Sequence, residues 1–268
     1  MIKSNKFKDN IDQINEISNI ARDRKVAHLY AEDERLEGKY FTIQGKKMLN
    51  FGSCSYLGLE TDLRLKAAAI QAIENYGTQF SSSRTYVSFT LYKELEKLLS
   101  NIFEHPVILS STTSLGHQAV IPIIIADGDA VILDHQAHIS MQDTVPKLQV
   151  RGVVVSLLRH GRLDELEEKL AGLSVRHERV WYFLDGVYSM YGDVSPINEL
   201  NVLLNKYPNL NLYIDDAHGM SWAGRNGAGY VMGQVPLHNR MVLSTSLAKG
   251  FGSAGGYSSS RTGNFIGV

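Results

Sequence analysis

One lysine, Lys249, stands in a stretch of hydroxyl-bearing and small residues that runs from Leu243 to Gly256. The stretch contains no carboxylate that would neutralise the lysine. An amine in a tight apolar turn is partly desolvated, which lowers its pKa and frees its lone pair to form a Schiff base with a carbonyl group. Lys249 is therefore a candidate Schiff-base residue, with a surface lysine in a glycine-rich loop as the alternative.

A run of hydroxyl side chains, Ser110 to Ser114, follows the short apolar segment Val107 to Leu109 and opens a predicted helix. Hydroxyl groups and free backbone N–H groups at the start of a helix bind anions such as phosphate. The same residues would also serve as a simple helix cap, so both interpretations stay open for this segment alone.

Asp134, His135 and His138 follow the apolar segment Ala130 to Leu133. Histidine and aspartate side chains this close in sequence are possible metal ligands, but no second cluster offers ligands at a usable spacing. The sequence therefore predicts no metal site. An imidazole ring that stacks on a flat ligand fits the same residues.

Acidic residues follow two further apolar segments. Asp185 opens a segment that runs through Ser189 to Asp193, and Asp215 is followed by a second aspartate and by His218. Acids at the junction of an apolar strand and a loop are costly unless they face a cationic partner. We therefore expect Asp215 to face a cation, with a helix cap as the alternative.

These five segments together match the groups of a flat, phosphorylated pyridine that carries an aldehyde. The hydroxyl-rich turn would take the phosphate, the lysine the aldehyde and the carboxylate the ring nitrogen. A lysine Schiff base and an acid at the pyridinium nitrogen are the binding features of enzymes that use pyridoxal 5'-phosphate (PLP). The sequence therefore predicts PLP as the cofactor.

From about residue 106, short apolar runs alternate with helical segments. This alternation is typical of the α/β class, with a mainly parallel sheet covered on both faces. Ligands on such a sheet bind at the carboxyl ends of the strands, where all five segments would meet. The predicted strands are 107–109, 130–133, 153–155, 180–184, 212–214 and 241–243. Helices are expected from the end of the turn at Ser114 to about residue 126, and over 162–171 and 197–206.

The first part of the sequence predicts a helix over 7–37, a hairpin over 40–51, and helices over 62–76 and 91–103. The first helix is polar apart from one narrow apolar stripe, which indicates an arm that packs on another surface, such as a partner subunit. We expect residues 1–60 to form this arm and hairpin, and residues 61–268 to form the cofactor-binding domain.

The composition sets limits on function and location. The net charge of −1 gives no indication of nucleic acid or an anionic membrane as a partner. The lone cysteine, Cys54, suits a reducing compartment, and the longest apolar run, 119–126, is too short to span a bilayer. The polar N-terminus lacks the apolar core of a signal peptide, so we expect a cytoplasmic protein.

Four motifs occur in a recognisable order over about residues 40–256: Tyr56-Leu-Gly-Leu, the segment from Asp185 to Asp193, Asp215-Asp-Ala-His-Gly and Lys249-Gly-Phe-Gly. In their order and spacing they resemble the fold-type I PLP enzymes of the aminotransferase class I/II superfamily. The similarity is greatest to the α-oxoamine synthases, a group that includes 8-amino-7-oxononanoate synthase, 2-amino-3-ketobutyrate CoA ligase and serine palmitoyltransferase. The resemblance implies the large domain of that fold, preceded by an N-terminal helical arm.

The resemblance also implies a role for each candidate residue. Lys249 looks like the Schiff-base lysine and proton-transfer base, Asp215 like the partner of the pyridine N–H, and His138 like the ring that stacks on the cofactor. These three would be the catalytic residues. His218 would hydrogen-bond the ring hydroxyl oxygen.

The remaining candidates are implied to bind other parts of the cofactor. Ser189 matches a residue on the hydroxyl side of the ring. Thr113 and Ser114 match the turn that holds the phosphate, and Ser246 matches a further phosphate contact.

The implied function is a PLP-dependent C-acyltransferase that condenses an amino acid with an acyl-CoA, acting as a homodimer without nucleic acid or a membrane span. An aminotransferase on the same fold and a catalytically silent PLP-binding fragment are the alternatives. Three features depart from the group on the substrate side: Gln79-Phe80 replaces a glycine-rich run, Tyr92 replaces a histidine, and Cys54 replaces an asparagine. PLP is therefore implied more firmly than acyl-CoA.

The group continues well beyond its lysine, completing the sheet and adding a C-terminal small domain. Here residues 257–268 show no apolar strand after the Gly-Gly pair. We therefore expect a chain that is truncated or frameshifted after about residue 256 and lacks the C-terminal domain. A short protein with a different tail is the alternative.

Overall fold

The computed structural model describes residues 5–261, with side chains from residue 10 onward. Contacts between residues divide the chain into two compact units, Met1–Ser53 and Cys54–Val268. The sequence places this boundary at residue 60, a few residues later.

The first unit begins with a helix, α1 (Asn5–Asp23), that ends well before the predicted end at residue 37. Lys25 adopts a left-handed conformation with φ 56°, and the Val26 N–H donates back to the Ala21 carbonyl at 3.0 Å. This pattern caps the carbonyl groups at a helix C-terminus and turns the chain away from the helix axis. The predicted extension of the helix to residue 37 is therefore wrong.

A two-stranded hairpin follows in the same unit, as predicted. Strands β1 (Tyr40–Ile43) and β2 (Lys46–Leu49) pair antiparallel. Gln44 and Gly45 connect them, both with positive φ, which is the geometry of a tight two-residue hairpin turn.

The second unit is built on a seven-stranded sheet of order β3-β9-β8-β7-β6-β4-β5. Strands β4 to β8 run parallel, and β9 runs antiparallel to both of its neighbours, β3 and β8. The α/β class and the mainly parallel sheet are thus confirmed. The strands are β3 (Val107–Ser110), β4 (Ala130–Asp134), β5 (Val154–Leu158), β6 (Val180–Asp185), β7 (Leu210–Asp215), β8 (Met241–Ser246) and β9 (Gly256–Ser260).

Five helices lie at nearly the predicted positions, whereas the short helices Ile139–Gln142, Val145–Val150 and Tyr230–Gln234 have no counterpart in the sequence prediction. Asp62 caps the helix Leu63–Tyr76 by accepting the Arg64 N–H at 2.8 Å, and Gly77 ends it with φ 77°. Within residues 5–261, no helix is long and apolar enough to cross a membrane. The helices are α2 (Leu63–Tyr76), α3 (Thr90–Phe103), α4 (Thr113–Ile124), α5 (Ile139–Gln142), α6 (Val145–Val150), α7 (Leu163–Leu173), α8 (Ile197–Lys206) and α9 (Tyr230–Gln234), with short 3-10 turns at Leu59–Thr61 and Arg225–Gly227.

The sheet is buried on both faces. Along β6, Val180, Tyr182 and Leu184 pack into one apolar cluster, whereas Trp181 and Phe183 pack into another. Because side chains alternate across a strand, these two clusters lie on opposite faces of the sheet. Helices α7 and α8 contribute to the first cluster and α4, α5 and α6 to the second. The carboxyl ends of the strands are thereby held at one rigid edge.

Strand β9 forms in the segment for which the sequence shows no apolar strand, beginning at the second glycine of the Gly-Gly pair. Its serines are buried but satisfied: Ser258 Oγ lies 3.2 Å from Ser244 Oγ, and Ser259 Oγ donates to the Pro106 carbonyl at 3.0 Å. Burying a hydroxyl costs little when it is hydrogen-bonded. A search for apolar runs misses such a strand. The rest of the tail, residues 262–268, lies outside the described residues.

Candidate active site

A cavity of about 190 Å³ lies where β3, β4, β7 and β8 end. Six of the candidate residues line it, together with neighbours that the sequence did not single out. The lining residues are Thr112, Thr113, Ser114, His138, Ser140, Asp215, Ala217, Ser246, Ala248, Lys249 and Gly255. A larger cavity of about 510 Å³ beside β3 contains none of the candidate residues, so size alone would point to the wrong place.

The hydroxyl-rich turn at the start of α4 forms one wall. Thr112 caps the helix by accepting the Leu115 N–H at 3.1 Å, and Thr113 Oγ1 donates to the Thr245 carbonyl at 2.9 Å. The first backbone N–H groups of a helix have no partner within it. Ser246 lies opposite, where its Oγ accepts the Ala248 N–H at 3.0 Å. The structure therefore confirms the helix cap considered from the sequence, and anion binding by the same turn stays a prediction.

Asp215 ends β7 as a buried carboxylate with a fixed orientation. Its Oδ1 accepts the Ala217 N–H, and its Oδ2 lies against His117 Nε2, both at 2.9 Å. Burial alone would raise the pKa of Asp215. The hydrogen bond and charge of His117, the charge of Lys249 and the Ala217 N–H outweigh burial and hold the pKa below its usual value. The cavity thus contains an ionised carboxylate.

Asp185, at the end of the neighbouring strand β6, has the opposite protonation state. Burial, together with the nearby charge of Asp215, raises the pKa of Asp185 to about 9. One oxygen of Asp185 accepts the backbone N–H of His138 at 3.0 Å. Since two buried carboxylates this close do not both ionise readily, the negative charge resides on Asp215 and Asp185 positions the histidine loop.

His138 lines the cavity as a half-buried ring. Its Nδ1 lies 2.6 Å from Ser140 Oγ, which fixes the ring orientation. Burial, reinforced by the charges of Lys249 and His117, lowers the pKa of His138. A neutral, oriented imidazole at a cavity wall suits stacking on a flat ligand.

The two other residues of the possible metal cluster point elsewhere. His135 Nδ1 accepts the His160 backbone N–H at 3.0 Å, and Asp134 accepts the hydroxyl groups of Tyr182 and Tyr188 at 3.1 Å each. No group of three possible metal ligands occurs in the part of the chain that the structure describes.

Lys249 is half-buried in a turn that depends on glycine. Gly252 has φ 62°, its N–H donates to the Lys249 carbonyl at 2.9 Å, and a Cβ at Gly250 would collide with Ser221 Oγ. Among the described side chains of residues 10–261, no carboxylate forms an ion pair with Lys249. The cavity therefore holds an amine that no acid neutralises by direct contact.

Two candidate residues do not line the cavity. His218 Nδ1 contacts the Tyr56 hydroxyl at 2.5 Å, and burial, then the charge of Lys249, lowers the pKa of His218 to about 4. Ser189 is exposed in the loop after β6. The roles suggested for both residues stay predictions.

The sequence analysis does not indicate the two residues that lie on the interior side of Asp215, His117 and Tyr213. His117 lies in α4, fully buried, and also contacts the hydroxyl group of Tyr213 on β7 at 2.9 Å. A single histidine on an apolar helix gives no signal of this kind. Ser140 is also absent from the sequence prediction. Its position two residues after His138 could have indicated it, because a hydroxyl group that close can orient the imidazole.

Comparison with known proteins finds relatives that match most of this chain. The sequence is 36% identical over 227 residues to 8-amino-7-oxononanoate synthase of Thermosipho melanesiensis, covering 84% of this chain and 56% of that protein. It is 34% identical to the enzyme of the same name from Fervidobacterium nodosum, covering 84% and 57%. The chain thus spans less than two thirds of the length of these relatives.

Solved structures show the same fold. A serine palmitoyltransferase from S. paucimobilis with PLP and myriocin bound superposes with a TM-score of 0.82 at 25% identity, covering 94% of this chain and 65% of that one. An 8-amino-7-oxononanoate synthase from Francisella tularensis shares the fold with a TM-score of 0.63 at 21% identity, covering 78% and 57%.

The family model for aminotransferase class I and II matches residues 46–264. That range contains all seven strands of the large sheet and every residue that lines the cavity. The chain therefore belongs to the aminotransferase class I and II family.

Proposed function

We propose that this protein binds PLP and condenses an amino acid with an acyl-CoA, as a C-acyltransferase of the α-oxoamine synthase type. One observation carries the proposal. A single cavity combines the hydroxyl-rich turn at the start of α4, the ionised carboxylate of Asp215, the neutral ring of His138 and the amine of Lys249, which forms no ion pair with a described carboxylate. The relatives named 8-amino-7-oxononanoate synthase support the acyl-transfer part.

The donor set of the cavity fits PLP. Thr113, Ser114 and Ser246 would hold the phosphate, and Asp215 would pair with a protonated ring nitrogen. Gly256 has no side chain, which lets β9 pass directly against the phosphate-binding turn. PLP, when bound, supplies an aldehyde that condenses with amines and a ring that takes up electrons from the bonds to an amino acid's α-carbon.

Each side chain then has a defined task. The Nζ atom of Lys249 would bind the aldehyde group of PLP and, when free, could accept a proton from the substrate α-carbon. Asp215 would keep the ring nitrogen protonated, because an anionic partner favours the cationic form. His138 would stack on the ring and help to exclude water.

The first test is uptake of PLP followed by turnover. The purified protein should develop visible absorbance on addition of PLP, and with an amino acid and acyl-CoA it should release free CoA. Lys249→Ala should remove both signals, whereas Lys93→Ala, at a surface position of α3, should remove neither. A protein that never takes up PLP would contradict the proposal.

An aminotransferase is the second candidate, favoured by the changes on the substrate side at Phe80, Tyr92 and Cys54. Formation of a keto acid without release of CoA would identify it. Uptake of PLP with neither product would support a silent PLP-binding protein.

We also propose a homodimer. Helix α2 is amphipathic, yet none of its residues is buried in the described chain, and Ile70 and Ile73 are 58% and 52% exposed. Contiguous exposed apolar faces often mark sites of interaction with another protein. A second copy of the same chain would cover this face.

A further inference from the structure

A row of buried polar groups extends from the cavity into the protein interior. Asp215 Oδ2 contacts His117 Nε2, and His117 Nδ1 contacts the Tyr213 hydroxyl, both at 2.9 Å. Ser244 and Ser258 provide the next hydroxyl groups beside Tyr213. The His117 and Tyr213 side chains are fully buried. Buried polar groups are costly unless they are satisfied, so this row has a defined hydrogen-bond pattern.

The direction of the bond between His117 and Asp215 follows from the carboxylate. An ionised carboxylate only accepts hydrogen bonds, so His117 Nε2 must carry the proton and donate it. The Tyr213 hydroxyl faces the other ring nitrogen and prevents the imidazole from turning over. The pKa of Tyr213 is raised, mainly by burial, so its phenol keeps its proton.

His117 therefore controls both the orientation and the charge of Asp215. With Ala217 N–H on Oδ1 and His117 on Oδ2, each carboxylate oxygen has an anchor, and the carboxylate cannot rotate. Without His117, desolvation would favour a protonated, neutral Asp215. A neutral acid would no longer favour a proton on a ligand's ring nitrogen.

We propose that His117 is a positioning residue, which holds Asp215 as an oriented carboxylate aimed at the protonated ring nitrogen of PLP. This inference rests on the proposed function. His117 itself does not line the cavity and acts only through Asp215. A purely structural role is the alternative, because the His117 and Tyr213 rings also pack edge to face with centroids 5.5 Å apart.

A pair of ligands separates the two roles. The first ligand is PLP, and the second is its analogue with a carbon atom in place of the ring nitrogen, which cannot form the bond to Asp215. Equilibrium dialysis would measure both dissociation constants for the wild-type protein, His117→Phe and His117→Gln. His177→Gln is the matched control, since the His177 ring is only partly covered and contacts the Gly128 carbonyl, away from the cavity.

A positioning role predicts a selective loss. His117→Phe should weaken PLP binding about tenfold or more, the scale of a hydrogen bond to a buried charge, and should leave affinity for the carbon analogue within about twofold. His117→Gln, whose amide can still donate to Asp215, should recover part of the loss. The control should match the wild-type protein for both ligands.

Two results of this comparison would count against the inference, and they are distinguishable. Equal weakening of both ligands would show a structural role and overturn the inference while leaving the proposed function intact. Failure of the wild-type protein to bind PLP would overturn both. If circular dichroism shows that His117→Phe does not fold, the same comparison with His117→Gln and Tyr213→Phe decides, and equal effects on both ligands again overturn the inference.

A second readout needs no cofactor. Nitrogen NMR of the histidine side chains in the unliganded protein should show a slowly exchanging proton on His117 Nε2, because it donates to a buried carboxylate. A bare Nε2 atom would contradict the proposed hydrogen bond directly.

Discussion

At the scale of single residues, the site depends on how two neighbouring acids divide one negative charge. Asp215 is ionised because His117, Lys249 and Ala217 outweigh the cost of burial. Asp185 lacks this support, and burial raises its pKa to about 9. The charge is thereby placed at the end of β7, where a ring nitrogen would lie, and not at the end of β6.

The first prediction concerns Asp215. Asp215→Asn keeps the size of the side chain but removes its charge, so a protonated ring nitrogen loses its ionic partner. We expect PLP affinity to fall about tenfold or more in a fluorescence titration. Asp127→Asn, at an exposed position, should bind PLP as the wild-type protein does. Equal affinity of the Asp215 variant and the wild-type protein would contradict the assigned role.

The second prediction concerns His218 and pH. Its ring faces Tyr56, Lys249, Asp215 and His138, and its folded-state pKa is about 4, below the ordinary value near 6.5. Between these values the unfolded chain binds more protons than the folded one, so stability falls as the pH falls through this window.

Comparison of the wild-type protein with His218→Asn isolates the contribution of His218 to the pH dependence of stability. As pH falls from 7 to about 4, the wild-type free energy of unfolding should decrease relative to that of the variant, by up to about 2 kcal/mol because water screens the partly exposed ring. Urea denaturation of the unliganded proteins would measure the difference. A difference that stays constant with pH would contradict the lowered pKa.

At the scale of elements, glycines set how closely the strand-end loops approach each other. A Cβ at Gly219 would collide with Asp216 Oδ1 and with the start of α9. Gly172 offers the contrast, since it lies exposed in α7 and a Cβ added there would meet no atom within 4 Å. The same substitution should therefore have opposite effects at the two positions.

The third prediction follows from this contrast. Gly219→Ala should destabilise the protein by about 2 kcal/mol or more, because overpacked sites force backbone shifts. Gly172→Ala should stabilise it by about 0.5–1 kcal/mol, because alanine has less conformational entropy to lose in a helix. Thermal or urea unfolding measures both. A similar cost at both positions would show that close packing at Gly219 is not the reason.

The same elements show what the sequence could and could not predict. Strands β4, β6 and β7 can be recognised in the sequence as continuous apolar runs, because both faces of these strands are buried. Strand β9 has no such signal, because its stability comes from backbone pairing and bonded serines. The end of α1 also gives no signal in the sequence, because the residue with positive φ at this turn is Lys25 and not a glycine.

The sequence likewise indicates some residues of the candidate site and not others. Residues directly after apolar strands, such as Asp215 and Lys249, are found because chain order and sheet topology bring strand ends together. His117 is not found because its function depends on a contact with Asp215 from a distant helix. The two residues are 98 positions apart in the sequence, and only the fold brings them together.

At the scale of the whole molecule, the uncovered face of α2 should determine the oligomeric state. If the proposed dimer forms through this face, replacing both Ile70 and Ile73 with Glu should convert it into a monomer, because the introduced charges would have to be buried at an apolar interface. Val202→Glu, at an exposed position of α8, is the matched control and should stay dimeric. Light scattering after size-exclusion chromatography measures the mass, and a monomeric wild-type protein would contradict the proposed dimer.

Under the proposed function, the Lys249 amine binds the aldehyde of PLP in this cavity. Reduction of the PLP-loaded protein with borohydride should fix the cofactor covalently, and mass spectrometry of its peptides should find the added mass on Lys249. The label should be absent from Lys249→Arg. No label on Lys249, or a label distributed over surface lysines such as Lys93, would contradict this role for Lys249.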